Sequence, residues 1–181
     1  MSQNKSNILI GAALVVLAAI LKVTTFPHSV NPIIAISLFS GAIISNKKMA
    51  FVLPLFAMLV SDILLDVLSI APGFYGMGQI GNYASLLFVT FIGFQMKKIN
   101  AVSVLGFSIA SSLIFFILSN TNSYFFENFS TYGSGFQGWV NCMIAGIPFV
   151  KNSLVTDLCF SIVLFGTYQL AGKLSEKSAT A

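Results

Sequence analysis

Residues 51–70, FVLPLFAMLVSDILLDVLSI, decide how this chain folds. Eighteen of the twenty residues are uncharged. As a helix the stretch is about 30 Å long, the thickness of a bilayer's hydrocarbon core. It carries Asp62 and Asp66, one helical turn apart and so on one face. An acid at bilayer depth costs roughly 2.5–3.5 kcal/mol on insertion scales, so such groups face a bundle interior or a wet cavity. The two acids are expected to line a functional cavity. Facing each other, they are expected to leave a proton on Asp62 in the empty protein. A purely structural role, with Asp62 bonded to a neighbouring helix and Asp66 solvated, is the plain alternative.

Composition points the same way. Of 181 residues, 56% are hydrophobic and 8% charged, against about 25% charged in soluble domains. The chain reads as one all-α, polytopic membrane domain over residues 1–181. All nine basic residues are lysines in short loops, a pattern of topology signals rather than a nucleic-acid surface. The apolar run after Lys5 has no small-residue cleavage site behind it and reads as an uncleaved first span.

Six transmembrane helices are expected, at about 8–25, 32–45, 51–70, 82–96, 102–119 and 153–172, with a polar, disordered tail at 173–181. A short interfacial or re-entrant helix, 137–147, is expected between spans five and six, inside a long connection over 120–152. With the N-terminus inside, seven lysines are cytoplasmic and only Lys22 and Lys151 lie outside. The positive-inside rule then puts both termini in the cytoplasm. Ser37, Gly41 and Ser45 form a small-residue stripe that reads as helix packing. Four glycines and a proline over 71–81 argue against a regular helix there and suit either a lid carrying Tyr75 or a plain connector.

That orientation collects the polar residues in the outer half. His28 and Asn31 sit in the first outer connection. Asp62 and Asp66 lie near the outer end of span three, and Asn82 and Tyr83 open span four. Asn120 closes span five, with Asn122, Trp139 and Asn141 beyond it, and Asp157 enters span six. With Tyr75, these are the candidate substrate-binding residues. Acids favour a cationic or hydrogen-bond-donating solute, and aromatics favour a flat ring. His28 with Cys142 makes an incomplete metal site, so no metal or cofactor is expected.

Asn31-Pro32-x-x-Ala35-x-x-Leu38-Phe39-x-Gly41-Ala42, Pro54-Leu55, Ser61-Asp62, Phe115-Phe116 before Asn120, and Cys142-x-x-Ala145-x-Ile147-Pro148-Phe149 together resemble an uncharacterised bacterial family of six-span transport proteins. The layout is also similar to the substrate-binding (S) subunits of energy-coupling-factor transporters. Those are small six-helix proteins that capture a vitamin or metal from outside and dock on a membrane coupling subunit driven by ATPases. Their Ala-x-x-x-Ala docking pattern is absent from span one. The resemblance implies a small-molecule solute, a multi-pass place in the bacterial inner membrane and a membrane coupling partner.

Two other classes fit less well. An intramembrane aspartyl protease would pair Asp62 with Asp157, but its Gly-x-Gly-Asp motif is missing, as is any phosphate-binding loop. A structural or assembly protein would use the small residues and acids for packing alone.

Overall fold

The computed structural model describes residues 3–24, 31–126 and 129–179. Every regular element among them is helical: α1 (Gln3–Thr24), α2 (Ile33–Ile43), α3 (Lys47–Val67), α4 (Met77–Gly93), α5 (Ala101–Phe126), α6 (Phe129–Tyr132) and α7 (Gly135–Ala179). Among the described residues three stretches, Lys47–Val67, Ala101–Phe126 and Gly135–Ala171, are long and apolar enough to cross a membrane.

The centre of the bundle is α2, not the Asp-bearing α3. Ile33 to Gly41 are all buried, and α2 touches α3, α4, α5 and α7. A helix that is apolar all round is one surrounded by protein. Its eleven residues rise only about 16 Å, too little to span a bilayer alone. Its hydroxyls are satisfied close by: Ser37 Oγ donates to the Ile33 carbonyl (2.8 Å), and Ser40 Oγ to the Ala50 carbonyl at the start of α3 (2.9 Å). Around α2, α1 packs on α3 and α5 packs along α7.

Gly41 is where α2 and α4 cross. A Cβ on Gly41 would stand 3.0 Å from the Gly93 Cα, and one on Gly93 would stand 2.9 Å from the Gly41 Cα. The small-residue stripe therefore does pack a helix at Ser37 and Gly41, both buried, whereas Ser45 is exposed beyond the end of α2. Asn46 starts α3 by accepting from the Lys48 and Met49 backbone N–H groups, the usual role of an N-cap asparagine. Pro54 is held inside α3.

Four expectations change. The glycine-rich segment is helical from Met77 onward. Gly81 is there because Asn122 of α5 fills the place a side chain would take; the Asn122 Nδ2 also donates to the Gly78 carbonyl. The connection expected over 120–152 contracts to 127–134, since α5 continues to Phe126 and α7 starts at Gly135. No separate interfacial helix forms over 137–147, and the tail is helical through Ala179. Pro148 does not break α7; inside a membrane bundle the carbonyl it frees can be satisfied by neighbouring groups.

The α3 C-terminus closes with the Ile70 N–H on the Leu65 carbonyl and the Ser69 N–H on the Asp66 carbonyl (both 3.0 Å). Ser69 takes a left-handed φ of 54°, the position where glycine is usual. Ser69→Ile is expected to cost about 1–2 kcal/mol and Ser69→Gly nothing, measured by denaturation in detergent. Equal stability of the two variants would overturn this assignment.

Candidate functional site

Two polar clusters lie side by side in the half of the bundle that holds the α1, α3 and α5 C-termini and the α4 N-terminus. The first is built on Asp62. Its Oδ1 forms an ion pair with Lys22 Nζ, from the last turn of α1. Its Oδ2 accepts from Gln79 Nε2 (2.8 Å) and Tyr83 OH (2.7 Å). Gln79 also donates to the Gly73 carbonyl (3.0 Å). Three helices thus meet on one carboxylate, and Gln79 ties the α3–α4 turn to it. Lys22 keeps 16% of its side chain exposed, and Asp62 only 2%. The counter-charge that the sequence reading assigned to a proton is supplied by Lys22.

Asp66 does not share this site. It is exposed, and its Oδ1 takes only a long bond from the Gly73 N–H (3.4 Å). Asp66 lies in the last turn of α3, one residue before its end.

The second cluster surrounds a cavity of about 310 Å³ between α2, α3, α4, α5 and α7. Asn31, Asn82 and Asn120 bring three amides to its wall, and Ser112, Ser119 and Ser153 bring three hydroxyls. Phe115, Phe116 and Phe149 supply rings, and Ile33, Ile34, Met58 and Val150 complete the lining. Asn82 Nδ2 donates to Tyr75 OH (3.0 Å). Its Oδ1 is buried and without a hydrogen-bond partner among the described residues.

Asp157 lies behind this wall, fully buried. Its Oδ2 accepts from Ser112 Oγ (2.7 Å) and Ser153 Oγ (3.2 Å), both cavity-lining. The backbone N–H of Ala35, in the first turn of α2, faces the same carboxylate. The positive end of a helix dipole favours an acid there. One turn further along α7, Ser161 pairs with Ser108 of α5 (3.0 Å). The seam between these helices is therefore polar, held by hydroxyl pairs of the kind that join helices in lipid.

The candidates divide accordingly. Asn31, Asn82 and Asn120 meet at the cavity, and Asp157 stands behind it. Asp62 and Tyr83 belong to the adjacent ion cluster, joined to the cavity by Met58, whose Sδ is 3.5 Å from Lys22 Nζ. Tyr75 is exposed and meets the cavity-lining Asn82 through its hydroxyl. Asn122 packs α5 on α4. Trp139 donates to Thr121 Oγ1 (3.0 Å) and stacks on Phe136, and Asn141 donates to the Tyr132 carbonyl (3.3 Å). These last three residues line no part of the cavity. His28 lies outside the described residues.

Sequence reasoning passed over Lys22, Gln79, Ser112, Ser119 and Ser153. Lys22 carried a signal, since a lysine within an apolar span needs an acid. The serines carried none, because serine is common at plain helix contacts.

Comparison with known proteins gives one match, to a family described as "Family of unknown function (DUF6580)", over residues 2–179. No curated protein matches, and no solved structure matches.

Proposed function

The chain belongs to this family of unknown function, and we propose that it is a multi-pass membrane protein that binds a small solute for transport. The observation that carries the reading is the cavity of about 310 Å³ within the helical bundle, walled by amides, hydroxyls and rings. That volume is at the lower end of the roughly 300–1,000 Å³ of small-molecule sites. Polar groups inside an apolar bundle are costly unless partnered, and Asn82 Oδ1 is left for a partner.

In this reading six helical segments sit in a bacterial inner membrane with both termini in the cytoplasm. The lysine asymmetry supports that orientation, which opens the cavity end of the bundle to the exterior. The short α2 is accommodated because protein, not lipid, surrounds it. A coupling subunit with ATPases would supply energy, as in the S-subunit layout. The reading leaves out catalysis. Asp62 and Asp157, the two acids a membrane protease would pair, have separate partner sets.

Ser119→Trp fills the cavity from α5. Wild-type protein purified in mild detergent is expected to release a small molecule that mass spectrometry detects in near-stoichiometric amount, and Ser119→Trp is expected to lose it. Identical small-molecule content in both proteins would overturn the reading.

A further inference from the structure

Resting on the cavity as a solute site, we infer that its ligand is an uncharged, planar heteroaromatic molecule with an amide- or lactam-like edge. This departs from the cationic solute that the acids suggested. None of the described residues that line the cavity is charged. Among the described residues, no charged side chain reaches the cavity directly. Asp62 holds Lys22. Asp157 is separated from the cavity by Ser112 and Ser153, and it faces the α2 N-terminus. Asp66 and Lys151 are exposed and line no part of it. Among the described residues, a cation would find no carboxylate at the cavity wall and an anion no basic side chain. The α2 amides offer an anion little, since the Ile33 N–H is held by Asn31 Oδ1 (3.2 Å) and Ala35 faces Asp157. An unpaired charge in such a site is strongly disfavoured.

The hydrogen-bonding groups specify the ligand's edge. Asn82 lines the cavity and its buried Oδ1 lacks a partner among the described residues, so a turn of the amide toward a ligand would give it a donor. Asn31 spends its oxygen on the Ile33 N–H, so its Nδ2 is left to offer donors. A carboxamide or lactam presents the matching donor and acceptor from one edge. Phe115, Phe116 and Phe149 supply faces for a flat ring.

The test holds shape nearly constant and varies charge. Equilibrium dialysis of the detergent-purified full chain would use neutral nicotinamide and hypoxanthine, anionic nicotinate and cationic N1-methylnicotinamide. At least one neutral probe is expected to bind tenfold or more tighter than either charged one. Asn82→Leu and Asn31→Ala are each expected to weaken it tenfold or more, with helical circular dichroism unchanged, and Ser119→Trp to abolish it. A charged probe that binds as tightly and is lost in Ser119→Trp would overturn the ligand class and leave the cavity reading standing. Binding that survives Ser119→Trp would overturn both. Absence of binding by all four probes would overturn the class, and the co-purification comparison would then decide the cavity reading separately.

Discussion

Lys22→Met should destabilise the folded protein by about 3–5 kcal/mol, the usual cost of stranding one partner of a buried ion pair. The stranded group is Asp62, short and 2% exposed, with no route to water. Gln79 and Tyr83 still donate to its Oδ2, which stabilises the carboxylate but does not balance its charge. The reverse change should cost less. In Asp62→Asn the lone charge is Lys22, in the last turn of α1 and 16% exposed, and its long stem can carry the ammonium outward. The substituted side chain would keep a carbonyl oxygen for Gln79 and Tyr83. The double variant Lys22→Met/Asp62→Asn should therefore recover most of the loss. Denaturation in detergent of the wild type, both single variants and the double variant reads the coupling directly. If the two single variants cost the same and their effects add, the pair does not hold α1 to α3 in the way described.

Gly41→Leu should be the most damaging single change in the bundle. No side chain fits at the α2–α4 crossing, where even a Cβ would sit within 3.0 Å of the Gly93 Cα and 3.1 Å of the Thr90 carbonyl carbon. These neighbours are backbone and cannot rotate away. Overpacking a core costs about 1–3 kcal/mol where side chains can shift. Here whole helices must part, so the loss should exceed that range and abolish the folded state in mild detergent. Gly41→Ala should be intermediate. Gly106→Ala is the control, because a Cβ there meets open space. Size-exclusion profiles and melting curves of the three variants give the test. A folded Gly41→Leu would mean that the crossing is looser than the geometry requires.

Both predictions turn on contacts that were only partly legible beforehand. The helical character of the chain was readable because long apolar runs must satisfy their backbone groups internally. The inward face of α3 was readable at Asp62, because an acid within such a run has to turn from lipid. The packing role of Gly41 was readable from its spacing with Ser37. The extent of α7 was not. The sequence reading ended a short helix at 147 and began span six near 153, and only the folded bundle shows one helix passing through both.

The sequence by itself determined an all-helical chain with long apolar helices, the inward place of Asp62 and the amide-bearing residues available for a site. The tertiary structure alone decided that α2 is the centre, that Asp62 answers Lys22 forty residues earlier rather than Asp66 one turn away, and that Asn31, Asn82 and Asn120 meet around one cavity. The physical reason is that lipid is as apolar as a protein core. Apolar residues such as Val102 and Ile162 are left exposed on the bundle, so hydrophobic patterning does not say which faces meet. Pairing of charges and amides across helices depends on how those helices cross, and only the folded bundle sets those distances.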